Sequence, residues 1–232
     1  VLRGEDLLSS TPRQLALFDA LKAVGIATGE RPQYGHLPYV MGEGNKKLSK
    51  RDPESSLLMY REEGYLPEGL INYLALLGWS FGDDIEFFSK EQMAEVFDVE
   101  RVNANPARFD LRKCTAINAE WIRSLAHDDL VARLVPYLTS EGVLTADPTP
   151  AQLATLTAAV PHVQERMETL RQGVGMLAFL FLGDEGSPEF AVERDEAEKV
   201  LGEDAQPVLR AAHTALTALD QWTTAAIEQT LD

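Results

Sequence analysis

Apolar residues at three- and four-residue spacing dominate the chain after residue 66. Leu70, Leu74 and Leu77 recur at this spacing ahead of Gly78, which is the pattern of an amphipathic helix that ends at a glycine. The same periodicity predicts further helices, with boundaries good to about two to four residues. They are expected over residues 89–97, 111–125, 128–141, 149–159, 163–182, 195–201, 205–219 and 223–231. Strand patterns are nearly absent here, so an all-α assembly is expected.

The first forty residues follow a different pattern. Residues 1–4, Val-Leu-Arg-Gly, are typical of the end of a strand, and Thr11 begins a Thr-Pro-Arg-Gln run that is typical of a helix N-terminus. We expect that helix over residues 12–24. Residues 36–41 predict a short extended segment, which Pro38 confines to an edge or an end of a sheet. This order of elements indicates the end of an α/β layer.

The charge balance is strongly acidic. The 232 residues hold 21 Lys and Arg against 37 Asp and Glu, a formal net charge of -16. Nucleic-acid binding needs clustered cations, so this balance argues against it unless a local basic surface exists. A single Cys114 and four histidines without metal-like spacing predict no disulfide, no metal site and a reducing cytoplasm. The longest apolar run, residues 173–183, is about half a membrane span, so no membrane association is expected.

One short segment does concentrate positive charge. Residues 42–51 read GEGNKKLSKR and place four cations in their last six positions. Glycines let a backbone approach a ligand closely, and Lys47, Lys50 and Arg51 then offer charges to a polyphosphate. The GxxxxGK[ST] order of a P-loop is absent. The alternative interpretation is a solvated basic turn, with Ser49 pointing to water.

The loop and its surroundings resemble a known family. Residues 47–51, KLSKR, resemble the KMSKS-type loop of class I aminoacyl-tRNA synthetases, and residues 3–14, RGEDLLSSTPRQ, are similar to the glutamyl and glutaminyl branch. The match to bacterial glutamyl-tRNA synthetases continues in residues 64–79 (GYLPEGLINYLALLGW), 105–110 (NPARFD) and 117–122 (INAEWI). The resemblance is dense through about residue 123 and thin beyond it.

Two features depart from the family pattern. The HIGH-type ATP motif, which the family carries near its own N-terminus, is absent. The chain is therefore expected to be a fragment that lacks the first half of the catalytic domain and the end of the anticodon-binding region. The loop is also followed by Asp52-Pro53, where many relatives have His-Gly. We interpret this as a lineage variant, with Asp52 as the N-cap of a helix over residues 53–63.

The resemblance implies roles for residues of the active site. Arg3 is expected to pair with the carboxylate of the amino-acid substrate, and Lys47 and Lys50 to meet the phosphates of ATP, which brings Mg²⁺ with it. The other implied ATP contacts are Glu5, Leu7, Val40, Ser49 and Arg51. No side-chain nucleophile is needed, since catalysis rests on positioning and on charge stabilisation. The alternatives are that Glu5 extends a solvated turn, that Leu7 is core, and that His36 packs rather than binds.

The resemblance also implies tRNA as a partner. The expected phosphate contacts are Arg108, Arg112, Lys113 and Arg123, although a solvated helix face explains each of them equally well. The third anticodon base is expected at Gln164, with Arg166 as the competing alignment. A glutamine offers a donor and an acceptor where a guanidinium only donates, so Gln164 predicts an enzyme that glutamylates both glutamate and glutamine tRNAs. The alternative is a solvent-facing helix residue.

The expected fold is mainly α, with an α+β start. Residues 1–40 are expected to end a Rossmann-type nucleotide-binding catalytic domain, 41–127 to form the loop and a stem-contact helical domain, and 128–232 an incomplete all-α anticodon-binding region. The implied activity is ATP-dependent activation of glutamate and its transfer to the terminal adenosine of tRNA, by a cytoplasmic monomer, with the fragment alone inactive. The alternatives are a glutamyl-queuosine tRNA synthetase, against which the later helices argue, and a non-catalytic helical paralogue, against which the intact loop argues.

Overall fold

The computed structural model describes residues 1–42, 46–49, 51–82, 84–183, 194–202 and 204–231 of the chain. The chain divides into two compact units, Val1–Ser187 and Pro188–Asp232. The first unit holds an α/β start and a larger helical core. No helix in the described ranges is long and apolar enough to cross a membrane.

The first unit opens with a two-stranded parallel sheet. Its elements in chain order are β1 (Leu2–Gly4), a 3-10 helix (Glu5–Ser10), α1 (Thr11–Ala23) and β2 (Gly35–Leu37). Arg3 on β1 lies directly opposite His36 on β2. Parallel strands require a crossover, and α1 supplies it before Gly25, at φ 74°, ends the helix. The predicted strand and helix are confirmed.

A second parallel pair joins distant parts of the chain. Strand β3 (Val40–Met41) pairs with β4 (Ala107–Arg108), and the amide of Phe109 extends the contact by donating to the Met41 carbonyl at 2.8 Å. Residues 36–41 are extended as expected, with Pro38 between the two sheets. Strand β4 was not expected, because two residues carry no readable alternation.

The helix predicted over residues 53–63 is wrong in its start. A 3-10 turn, Pro53–Ser55, precedes α2 (Leu57–Glu62), and the extended Ser56 separates the two. The hydroxyl of Ser56 caps α2 by accepting from the Met59 amide at 3.4 Å. Asp52 makes no side-chain cap at this helix.

The later helices of the first unit match the predicted pattern except at one break. They are α3 (Pro67–Ala75), α4 (Lys90–Val96), α5 (Leu111–Ser124), α6 (His127–Ser140), α7 (Pro150–Val163) and α8 (Leu170–Leu177). The single helix predicted over residues 163–182 is wrong. A 3-10 turn, Gln164–Arg166, and the extended Met167 precede α8, and a second 3-10 helix, Ala178–Phe181, follows it.

One hydrophobic core runs through the helices on both sides of residue 127. Leu66 and Ile122 belong to the same cluster as Leu134, Leu156 and other buried residues up to Phe181. A smaller aromatic cluster around Tyr73 packs beneath β4. The two parts that the sequence analysis separates at residue 127 therefore share a continuous core.

The second unit is helical within its described residues. Its helices are α9 (Arg194–Val200), α10 (Ala205–Thr217) and α11 (Thr224–Leu231), with α10 packed on α11. Their positions confirm the three helices predicted at the end of the chain.

Candidate functional site

The basic loop is rooted in strand β3. Met41 makes an antiparallel bridge with Lys47, and the Gly42 amide donates to the Lys46 carbonyl at 2.8 Å. The described loop residues therefore fold back along the strand as a tight hairpin. Four members of the loop lie outside the described residues: Glu43, Gly44, Asn45 and Lys50. The role predicted for Lys50 stays a prediction.

Lys47 points toward the end of β1. Its Nζ lies 3.8 Å from the centroid of the Tyr39 ring and 3.7 Å from Oδ2 of Asp6. About half of the Lys47 side chain is exposed, so this long ion pair is screened by water and contributes at most about 1 kcal/mol. The Tyr39 ring thus orients the ammonium of Lys47. Because the ion pair with Asp6 is weak, a more highly charged anion can replace Asp6 as the partner of Lys47.

A short turn closes the loop after Leu48. The Ser49 amide donates to Oδ2 of Asp52 at 2.6 Å, and the Arg51 amide donates to Oγ of Ser49 at 3.2 Å. Asp52 thus ties the loop to itself rather than capping a helix. The hydroxyl of Ser49 accepts this bond and is also exposed, so the alternative of a solvated turn with Ser49 pointing to water remains open.

Arg3 is held by neutral groups. Its Nη1 donates to Oε1 of Gln14 at 2.6 Å, its Nε donates to Nε2 of His36 at 3.3 Å, and a third donation reaches the Thr11 hydroxyl. The guanidinium also lies 4.5 Å from the centroid of the Tyr34 ring. No ion pair joins Arg3 to a carboxylate within the described residues. A rigid, uncompensated guanidinium suits a ligand carboxylate.

The other residues expected at the nucleotide lie around the same strand ends. Oε1 of Glu5 accepts from the Tyr39 amide at 3.3 Å, which ties the 3-10 helix to the chain just before β3. Leu7 is 43% exposed, so the alternative that it is core is contradicted. The carbonyl of Val40 accepts from the Leu48 amide at 3.0 Å. Val40 thus contacts the loop through its backbone, and Glu5 contacts Tyr39 just before β3 through its carboxylate.

A cavity of about 620 Å³ separates the loop from the start of α5. The cations that line it are Lys46, Lys47, Arg108 and Arg112. Two carboxylates also line it, but both are engaged: Asp52 closes the loop turn, and Oδ1 of Asp110 caps α5 by accepting from the amides of Arg112 and Lys113. The cavity is therefore the local basic surface that the net charge does not reveal.

Two of the cations expected at tRNA are ion-paired instead. Lys113 pairs with Glu86, and Nη2 of Arg123 lies 2.8 Å from Oε2 of Glu120. Arg123 also stands at the far end of α5 from the loop. The solvated helix face fits these two residues better than it fits Arg112, which lines the cavity.

Gln164 is not exposed, which contradicts its assignment as a base-reading residue and also the alternative of a solvent-facing position. It is 4% exposed, and its Nε2 donates to the carbonyls of Ile122 at 2.9 Å, Arg123 at 3.3 Å and Leu125 at 2.9 Å. These carbonyls lie at the C-terminus of α5, where helix acceptors lack internal partners. Arg166 is exposed on the same turn.

Sequence reasoning missed the side chains that orient the cations. Tyr39 lies under Lys47, Asp6 pairs with it, and Gln14 holds Arg3. An aromatic residue three positions before a Gly-rich basic loop is a weak signal. The Ser49-to-Asp52 spacing was a better one, because Asp side chains close turns onto nearby amides.

Neutral groups form the floor beneath β4. Burial raises the pKa of Tyr73 to about 12, although its hydroxyl accepts from the Asp110 amide, and burial alone raises the pKa of the Cys114 thiol to about 12. Both groups are uncharged at neutral pH. Among the described residues no three His, Cys, Asp or Glu side chains gather in a metal-binding group.

A parallel strand-helix-strand layer with a cation-rich loop at its edge, joined to a helical core, is the arrangement of a nucleotide-binding enzyme with an all-α extension. Residues 1–116 match the family model for the catalytic domain of tRNA synthetases class I (E and Q), and residues 129–232 match the model of an anticodon binding domain. The chain belongs to the class I tRNA synthetases of the glutamate and glutamine group.

Curated relatives carry one name. The chain is 60% identical over 231 residues to the glutamate–tRNA ligase of Saccharopolyspora erythraea, 52% to that of Nocardioides sp. and 55% to that of Kineococcus radiotolerans. Each alignment covers all of this chain but only 45–46% of the relative. The chain thus spans about half the length of the curated relatives it matches.

Solved structures share the fold. A glutamate tRNA ligase from Elizabethkingia meningosepticum in complex with its amino acid superposes with a TM-score of 0.71 at 24% identity, covering 99% of this chain and 46% of that one. The glutamate-tRNA synthetase of Elizabethkingia anophelis gives 0.69 at 24% identity, with the same coverage. The mainly α architecture with an α/β start is that of these enzymes.

Proposed function

We propose that the protein containing this chain is a glutamate–tRNA ligase, which activates glutamate with ATP and transfers it to the terminal adenosine of tRNA. The proposal rests on two positively charged side chains, Lys47 and Arg3, that lie near the same strand ends. Lys47, on a hairpin rooted in β3, points toward the strand ends where Arg3 holds an uncompensated guanidinium. The shared name of the relatives supports it.

In this reaction these residues bind and orient glutamate and ATP, and they do not react covalently. Arg3 holds the carboxylate of glutamate, and Glu5, Leu7 and the backbone at Val40 border the nucleotide. The phosphates of ATP, which carry Mg²⁺ as part of the substrate, meet Lys47, Lys50, Ser49 and Arg51. A cation fixed where pyrophosphate departs stabilises the charge that develops on the leaving group. The hairpin position lets this cation move onto the nucleotide after it binds.

We further propose that tRNA passes over the cavity beside the loop. Arg108 and Arg112 there can neutralise phosphates, which the overall acidity of the chain would otherwise repel. Lys113 and Arg123 are assigned a smaller contribution, because they do not line this cavity. Arg166 remains the proposed contact in the anticodon-binding part. Because Gln164 is buried, it no longer supports the charging of glutamine tRNA, and we propose the glutamate tRNA as the substrate.

The test is a charging assay with a ligase of the relatives' full length that contains this sequence. Radiolabelled glutamate, ATP and either purified glutamate tRNA or purified glutamine tRNA should give esterified product with the first tRNA and little with the second. Product formed on tRNA from which the terminal adenosine has been removed would instead identify a glutamyl-queuosine synthetase, because that enzyme attaches glutamate to a modified base and not to the terminal ribose. ATP binding without any product would favour the non-catalytic paralogue. We propose a cytoplasmic monomer, which sedimentation of the same protein checks.

A further inference from the structure

Strands β1 and β2 place a histidine beside the arginine that is proposed to hold the amino acid. Arg3 and His36 are direct partners in the parallel register of the two strands. Nε of Arg3 donates to Nε2 of His36 at 3.3 Å, and Oγ1 of Thr11 lies 2.8 Å from the same nitrogen. His36 is partly buried, whereas the other three histidines of the chain are exposed. Its ring therefore contacts a residue of the candidate site directly.

The protonation of this imidazole follows from its partners. A guanidinium carries only donors, so the nitrogen that faces Nε of Arg3 must be an acceptor. Nε2 of His36 is therefore without a hydrogen, and the neutral ring carries its hydrogen on Nδ1. The Thr11 hydroxyl can then accept from Nη2 of Arg3 and donate to Nε2 of His36. In this arrangement every donor of the three side chains faces an acceptor.

An aromatic contact holds the His36 ring in place. The ring stacks on that of Tyr34, with centroids 6.5 Å apart and 18° between the planes. The guanidinium of Arg3 lies 4.5 Å from the centroid of the same Tyr34 ring. Because Tyr34 contacts both partners, a rotation of the imidazole away from Arg3 would also lose the stack.

These contacts hold one edge of the Arg3 side chain. Nε donates to His36, and Nη2 donates to the Thr11 hydroxyl and to the Leu7 carbonyl at 3.4 Å. Nη1 donates one hydrogen to Gln14, so within the described residues its second hydrogen is left for a ligand. Because the guanidinium is flat and rigid, the contact at Nε sets the direction in which Nη1 points.

We propose that His36 is a positioning residue for glutamate: as a neutral acceptor it holds Nε of Arg3 and so directs Nη1 toward the carboxylate of the amino acid. This inference rests on the proposed function, in which Arg3 binds that carboxylate. The imidazole acts through Arg3 and does not touch the substrate. Loss of the acceptor should weaken glutamate binding and leave ATP binding at the loop unchanged.

The test compares two substitutions of His36 in the full-length ligase. His36→Phe keeps a flat ring that can stack on Tyr34 but removes the acceptor, and the KM for glutamate should rise about tenfold, as expected for one lost hydrogen bond to a charged group. The kcat at saturating glutamate and the KM for ATP should stay within about twofold of wild type. His36→Gln, which can place an amide oxygen near the position of Nε2, should restore most of the affinity for glutamate.

A double-mutant cycle measures whether His36 acts through Arg3. Arg3→Lys keeps the positive charge but removes the Nε donor that faces the imidazole. Adding His36→Phe to this variant should raise the KM for glutamate no further, because the contact is already absent. His162→Phe is the matched control, since it replaces an exposed histidine of α7, and it should leave the KM for glutamate and for ATP unchanged.

A wild-type KM for glutamate in His36→Phe overturns the proposal. So does an equal rise in the KM for ATP, an impairment in His36→Gln as large as in His36→Phe, or a further rise in the Arg3→Lys background. If His36→Phe yields no folded ligase, His36→Leu takes its place. Wild-type ligase that fails to charge tRNA at all would instead refute the proposed function, so the two failures are distinguishable.

Discussion

Charged residues of the first unit differ in how their charge is balanced. Arg133 makes two hydrogen bonds to Glu68, at 3.0 Å and 2.8 Å, and a third to Asp129 at 3.1 Å. The bonds that Arg133 donates to Glu68 are the main reason that the pKa of Glu68 is held below its ordinary 4.5. Arg3, by contrast, has neutral partners in the described part of the chain. The compensated arginine joins α3 to α6, while the uncompensated one is available to a ligand.

Glu68→Gln should lower the free energy of unfolding at pH 7 by about 1 kcal/mol, a modest value because water reaches a third of the pair. Since the folded pKa of Glu68 is lowered, its contribution is present above the ordinary pKa of 4.5 and is lost as the pH falls through the folded value. Urea unfolding at pH 7 and near pH 3 measures this difference. The variant and wild type should converge in acid, and a constant gap would contradict the ion pair as its cause. Asp129→Asn, which removes the negative charge at the single bond, serves as the control.

The elements show which structural features local sequence carries. Helices α1, α4 and α7 begin at Pro or at Ser and Thr capping boxes that the pattern reveals. Strand β4 has two residues and exists only through pairing with distant β3, so local alternation could not reveal it. The break before α8 is similar: the apolar periodicity continues across it, but the buried amides of Gln164 and Asn118 take the backbone out of the helix.

The candidate site, like the secondary-structure elements, could be predicted in part from the sequence. The loop cations and Arg3 follow from motif spacing and resemblance. The burial of Gln164 could not be predicted from the sequence. Helical periodicity places a polar residue outward, but tertiary hydrogen bonds hold this one inside. The sequence also does not distinguish Arg112, which lines the cavity, from Arg123, which is ion-paired, because ion pairing depends on neighbours that only the folded chain brings together.

Gly64 joins α2 to α3 in a conformation that other residues resist. Its φ is 82°, and a Cβ there would stand 2.7 Å from the Arg171 amide nitrogen and 2.8 Å from that of Leu170. The Gly64 carbonyl also accepts from the Leu170 amide at 3.0 Å. The turn after α2 therefore packs backbone against backbone at the start of α8.

Gly64→Ala should destabilise the chain by at least about 1 kcal/mol more than Gly142→Ala, in thermal or urea unfolding. Gly142 is the matched control, because its φ is 72° but nothing lies within 4 Å of an added Cβ. Both variants strain the backbone, and only the first also creates a clash. Equal losses in the two variants would show that the α2–α8 contact is less tight than described.

In the molecule as a whole, an acidic chain has a cluster of positive charge at one cavity. The chain carries a net charge of -16, yet four cations line one cavity beside the loop, where Asp52 closes a turn and Asp110 caps α5. Acidic surroundings repel polyanions from other surfaces and leave this one as the favourable approach. Behind this surface, Leu66 and Ile122 share one hydrophobic core with the helices that follow residue 127.

The loop lysines are proposed to stabilise the phosphates of ATP while glutamate is activated. This role is measured by the single-turnover rate of glutamyl-adenylate formation, with tRNA present, in full-length ligase carrying Lys47→Ala or Lys50→Ala. Each should lower the rate by about 100-fold, or roughly 3 kcal/mol, as expected for one preorganised cation. Lys22→Ala, which removes a lysine bonded to the Gly29 carbonyl in the same layer, should leave the rate unchanged. Wild-type rates in both loop variants would contradict the account.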